Sequence, residues 1–153
     1  MITKKTKYAL KALSKLAQYP EDSSILSSDL AQAGNIPPKF LEFILNSLRK
    51  GGVLQSRIGK GGGYRFALHP NKITIARVVR ILEGDFSPLQ CMSEYTPNVC
   101  EEGNDPTCCG IHIVMADLKR SIASVLENTT LADLIEHEDS AHRRQLSIID
   151  YNI

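Results

Sequence analysis

The sequence predicts a mainly α fold: a winged helix-turn-helix with a two-stranded β wing, followed by a long C-terminal dimerisation helix. Three observations predict it. Two amphipathic stretches meet at a tight turn over Gly34 and Asn35. A glycine run at residues 59–63 separates two β-prone segments, and an apolar row from Ile111 to Val125 recurs at the spacing of a helix seam. With 153 residues, 42% of them apolar and 23% charged, the chain suits one compact core with an appendage.

The elements follow in order. Over residues 4–19, Ala9, Leu13 and Leu16, with Ala12 and Ala17 beside them, mark an amphipathic first helix that Pro20 stops. Ser27 or Ser28 can cap a short second helix over 29–33, and Gly34 and Asn35 tolerate the left-handed turn after it. Pro37 and Pro38 suit only a helix entry, since neither brings an amide that needs a partner inside the helix. The third helix then runs to about Lys50 with Leu41, Ile44, Leu45 and Leu48 inward, and Gly51 and Gly52 end it. Strands are expected over 53–58 and 64–68. Thr74 caps a fourth helix striped by Ile75, Val78, Val79 and Leu82 and closed by Gly84. From 85 to 110 proline, glycine and asparagine break every period, and so long an irregular loop is usually functional. Ile111, Met115, Leu118, Ile122 and Val125 then recur at intervals of 4, 3, 4 and 3. Thr130 with Asp133 marks a last, short helix before a polar tail. The expected division is 1–84 for the winged helix, 85–110 for a cysteine-bearing loop, 111–138 for dimerisation helices and 139–153 for the tail.

The net charge of +1 averages two opposite halves: residues 1–82 hold 14 Lys and Arg against 4 Asp and Glu, whereas residues 83–153 hold 4 against 13. A half with net charge +10 points to a polyanion. No apolar run is long enough to span a membrane, and Lys4, Lys5, Lys7, Lys11 and Lys15 interrupt the segment where a signal peptide would need apolar continuity. A cytoplasmic location is expected. All four cysteines, Cys91, Cys100, Cys108 and Cys109, fall within 19 residues of the acidic half, which favours metal or redox chemistry over structural disulfides.

Two helices joined by a tight turn and followed by a glycine-tipped hairpin match the dimensions of duplex DNA. The major groove admits one helix, and the phosphate rim or minor groove a thin hairpin tip. The third helix would present Pro38, Lys39, Phe40 and Glu42, with Lys39 foremost, and Ser28 and Arg49 flank it. The wing would bring Arg57, Lys60, Gly61, Gly62 and Tyr64 to the backbone. Taken alone, the glycine run reads equally as an ordinary hairpin turn. It is not a Walker A loop, because Lys60 is followed by Gly61 where Ser or Thr is required.

The stretch Ile36-Pro37-Pro38-Lys39-Phe40-Leu41-Glu42, then Leu48-Arg49-Lys50-Gly51-Gly52-Val53, then Gly61-Gly62-Gly63-Tyr64, resembles the signature of a bacterial winged-helix family. Its members include the iron–sulfur-cluster regulator, the nitric-oxide-sensing repressor and the cysteine-metabolism repressor. The similarity runs in order from Lys4 to about Ile135. It implies a homodimer of cross-packed long helices on a double-stranded, palindromic DNA operator. Cluster-binding members commonly carry an arginine just before the wing's glycines, where this chain has Ile58, with Arg57 one place earlier. Neighbouring strand residues point to opposite faces.

The resemblance also implies a ligand set: Cys91, Cys100 and Cys109, with His112 at the start of the long helix and Cys108 as the alternate to Cys109. Three thiolates and an imidazole suit an iron–sulfur cluster. Zinc remains an alternative, although structural zinc sites draw on closer pairs than gaps of eight and seven residues. Metal-free thiols or a regulatory disulfide are the third. Some members complete a four-iron cluster with an acidic side chain from the partner's first helix, and the equivalent position here is Tyr8, which favours 2Fe-2S over 4Fe-4S. An enzyme using Cys109 as nucleophile and His112 as base is the remote alternative, and it lacks an orienting acid. The reading is therefore a regulator, a repressor in the first instance, and not an enzyme.

Overall fold

The structure, a computed structural model, describes residues 2–59, 61–93 and 109–150, with side chains through residue 144. Thr3 opens α1 (Lys4–Leu16), its hydroxyl oxygen accepting the Lys5 amide, one of the helix-start amides with no internal partner. The helix buries the expected Ala9, Ala12, Leu13 and Leu16, and also Thr6 and Ser14. It ends at Leu16, a turn before Pro20.

The second helix corrects one expectation. α2 (Ser27–Gly34) takes its cap position at Leu26 with no side-chain hydrogen bond, so Ser27 and Ser28 are already helical. The reason lies in the preceding residue. Ile25 is held extended by a reciprocal pair of backbone hydrogen bonds with Tyr64, at 3.0 and 2.8 Å, and the helix starts as soon as that bridge is left. Asn35, at φ 47°, makes the left-handed turn, and the Ile36 amide returns to the Ala31 carbonyl at 2.9 Å.

α3 (Pro38–Lys50) begins with Pro38 in its first turn and buries Leu41, Ile44, Leu45 and Leu48 completely. β1 (Leu54–Arg57) and β2 (Gly63–Phe66) pair antiparallel in the register Leu54 to Phe66 and Arg57 to Gly63. β1 starts after the expected residue 53 because Val53 is used to end α3, its amide donating to the Leu48 carbonyl, while β2 starts one residue earlier and ends two earlier than expected. α4 (Ile75–Glu83) is capped by Thr74, whose hydroxyl oxygen accepts the Arg77 amide, and ends at Gly84. These elements share one apolar core, which Leu131 also enters.

α5 (Gly110–Asn128) has no fully buried residue. Ile122, Ala123 and Leu126 pack on a second cluster formed by Ile75, Ala76, Val79 and Phe86. α6 (Leu131–Asp150) opens with a reciprocal cap: the Thr130 amide donates to the Asp133 carboxylate at 2.8 Å, and the Asp133 amide to the Thr130 hydroxyl oxygen at 3.2 Å. The expected short helix and polar tail are therefore corrected, since helix continues through Asp150. Residues 136–150 contain no glycine or proline, and the exposed polar residues at 136–139 and 142–144 mark an exposed helix, not the end of one. No helix among the described residues is long and apolar enough to cross a membrane.

Candidate functional site

Burying four leucine and isoleucine side chains on one side of α3 turns Lys39, Glu42, Phe43, Arg49 and Lys50 outward together. Pro38 and Phe40 are also exposed, but the Phe40 ring stands edge-on to Tyr8 of α1 at 5.9 Å, so it is shared between the surface and its own domain. Phe43, 59% exposed at the middle of the face, was not singled out from the sequence. The signal was available: it lies one turn beyond Lys39, and helical spacing sets it on the face opposite Leu41, Leu45 and Leu48. Arg49 donates to the Asn46 side chain at 2.9 Å, and Ser28 lies exposed on α2, with its hydroxyl donating to Asp29.

The strand register sorts the wing. Leu54, Tyr64 and Phe66 pack toward the core, while Gln55, Arg57 and Arg65 occupy the opposite face. Tyr64 therefore supports the wing from below. Arg65, also missed in the sequence, shares the outer face with Arg57 and has no ion-pair partner among the described residues. Ile58 stands 96% exposed at the start of the tip. Glycine is required at Gly63, at φ 138°, because a Cβ there would lie 2.3 Å from the Ile25 carbonyl oxygen. At Gly62 a Cβ would lie 2.5 Å from the Arg57 carbonyl oxygen, and Gly61 takes φ 78°. Lys60 lies outside the described residues.

α3 packs on α4. Arg77 donates to the Gly51 carbonyl at 3.1 Å, placing a cation at the C-terminal end of α3, where the helix dipole favours it. At the other end of α4, the Glu83 carboxylate accepts from Thr3 at 2.5 Å and Thr6 at 2.7 Å and faces Lys5 at 3.6 Å. Burial pushes this carboxyl up, but the two hydroxyls and the lysine outweigh it and hold it below its ordinary value.

Of the expected ligands, Cys100 and Cys108 lie outside the described residues. Cys91 is half-buried in a 3-10 turn, Gln90–Met92. Cys109 is the half-buried cap residue of α5, where unpaired helix amides favour negative charge, and His112 sits half-buried in the first turn. The main chain just after Cys91 is bound from α5: the Lys119 ammonium donates to the Met92 carbonyl at 3.2 Å. Lys119 and His112 are seven residues apart, two helical turns on one face, or about 10.5 Å along the axis. The turn that carries Cys91 is thus bound on the side of α5 that also bears His112. No three metal-ligating side chains among the described residues close on one point. Thiols and an imidazole are donors of the kind an iron–sulfur group takes.

On the other side of α5, Ile111, Val114, Leu118 and Val125 are 66, 61, 44 and 64% exposed. Their intervals of 3, 4 and 7 describe a seam. It shares Ile111, Leu118 and Val125 with the expected row. Ile122 instead packs on the chain's own core, so that row mixed two faces of the helix.

The comparisons agree with this architecture. The Rrf2 family, described as an iron-dependent transcriptional regulator, matches residues 2–137. A helix-turn-helix transcriptional regulator of Rhodobacter capsulatus, described as rrf2-like, is 36% identical over 138 residues, covering 88% of this chain and 92% of that protein. The solved structure of CymR, the global cysteine regulator of B. subtilis, superposes with a TM-score of 0.71 at 28% identity, covering 90% of this chain and 97% of that one. T. potens IscR gives 0.72 at 26% identity, covering 92% and 90%. These relatives are regulators and not enzymes, so the thiol-enzyme alternative is set aside. With its family match spanning most of its length and a winged helix as its fold, the chain belongs to the Rrf2 family of transcriptional regulators.

Proposed function

We propose that the protein is a homodimeric repressor whose affinity for a palindromic operator is set by an iron–sulfur cluster on the arm between α4 and α5. One observation carries this reading. The turn that carries Cys91 is bound by Lys119 of the same helix that exposes an apolar row, Ile111, Val114, Leu118 and Val125. A second copy would cover that row, since so much contiguous apolar surface at seam spacing is seldom left in water.

In the dimer, each α3 enters a major groove, with Lys39 and Phe43 toward the bases and phosphates. The two half-sites lie about one helical turn of DNA apart. Arg57, Arg65 and Lys60 meet the backbone. Cys91, Cys100 and Cys109 hold the cluster with His112, Cys108 being the alternate to Cys109. A 2Fe-2S cluster is the first choice and zinc the alternative cargo. The cluster supplies a redox-sensitive crosslink, and the protein's own part is to hold its arm against α5, so that a change there shifts the spacing of the two reading heads. A small displacement suffices because both half-sites must be met at once.

A second reading, a metal-free thiol switch, is favoured by the likeness to the cysteine regulator CymR. Purification without oxygen followed by visible absorption and assay of iron, sulfide and zinc separates the readings. Coloured protein with iron and sulfide supports the cluster, whereas colourless protein replaces it with zinc or with free thiols, according to the zinc content.

A further inference from the structure

A buried polar cluster lies at the root of the cysteine arm. Asp85, just after α4, accepts from both the amide and the hydroxyl of Ser87, at 3.1 and 2.5 Å. Its carboxylate also pairs with Lys119 at 3.6 Å, their side chains being only 10 and 18% exposed. The Ser87 hydroxyl lies 2.8 Å from the Met92 carbonyl, to which Lys119 donates at 3.2 Å. Ser87 and Lys119, from opposite sides, thus converge on the residue immediately after Cys91. A part-buried charged pair gives up some hydration, and its hydrogen bonds offset that cost. Here it joins three pieces of chain: the end of α4, the turn carrying Cys91 and the middle of α5.

We propose that Asp85, Ser87 and Lys119 form a clamp that positions Cys91 against α5, with Lys119 as the positioning residue through which events at that thiol reach the dimer helix. The inference deepens the functional reading above and rests on it for the role of Cys91. Its physical content is that the Cys91 turn is held before any metal arrives, and that it opens when the clamp is broken. Reagent access to a half-buried thiol follows the free energy of local opening. A charge-assisted hydrogen bond accounts for about tenfold in that equilibrium.

The experiment is peptide-resolved alkylation of the reduced, metal-free full-length protein with iodoacetamide. Ser87→Ala removes the hydroxyl proton shared between the Asp85 carboxylate and the Met92 carbonyl while leaving both charges in place, Lys119→Met removes the cation, and Lys119→Arg restores it. The first two should each raise alkylation of Cys91 about tenfold, leave Cys109 unchanged, and keep the helical circular dichroism of the parent; Lys119→Arg should return toward the parent rate. Unchanged Cys91 alkylation in both variants, or equal acceleration at Cys109, would overturn the clamp. A parent protein that never acquires iron refutes the cluster reading without touching this comparison.

Discussion

At the scale of single residues, the apolar positions were easily read and the polar ones less so. Leu41, Ile44, Leu45 and Leu48 followed from helical spacing because each gains only by leaving water. Arg65 and Phe43 did not, because their importance depends on strand register and on which helix face stays open. If Lys39 and Arg65 touch phosphate, changing either to Ala flattens the salt dependence of operator binding by about one unit of slope. An unchanged slope in a fluorescence-anisotropy titration assigns the residue no phosphate contact. Glu83 carries a pH prediction. Its carboxyl is held below the ordinary value in the fold, so its contribution is complete above the unfolded value and is lost as pH falls through the folded one. Glu83→Gln should therefore cost about 1–2 kcal/mol near neutral pH and less at about pH 3. Urea unfolding across that range checks it: an equal cost at both ends removes the two threonines and Lys5 as the source of the shift.

Among the elements, those punctuated by local chemistry were legible. Pro38, the Asn35 turn, the Thr74 cap and the reciprocal cap of Thr130 and Asp133 all stand where the sequence expects them. α2 did not start at a serine cap because a partner almost forty residues away, Tyr64, decides where Ile25 stops being extended. α6 outran its expected end because a helix exposed on most sides carries no apolar rhythm. For α5 the heptad pattern located the helix but merged two faces, and only packing assigns Ile122 inward and Leu118 outward. That assignment makes Leu118→Glu diagnostic. It should weaken self-association about a hundredfold in sedimentation equilibrium while leaving the helical signal of each chain intact. Unchanged association would move the dimer contact away from this row.

Across the whole molecule, the order of elements placed the helix-turn-helix, the hairpin and the long helix from the sequence alone. The links between them needed coordinates: Arg77 on the last carbonyls of α3, Arg80 paired with Glu127 of α5, and Lys119 on the Cys91 turn. Such contacts join residues far apart in sequence and leave no periodic trace. Together they connect α3, α4, α5 and the Cys91 turn, which is the route that the proposed control of operator binding requires. The most direct test is operator affinity of the protein prepared without oxygen, before and after removal of its metal, at one fixed salt concentration. A change of about tenfold or more is expected, within the usual range of coupling between two sites. Equal affinity in the two states would contradict it.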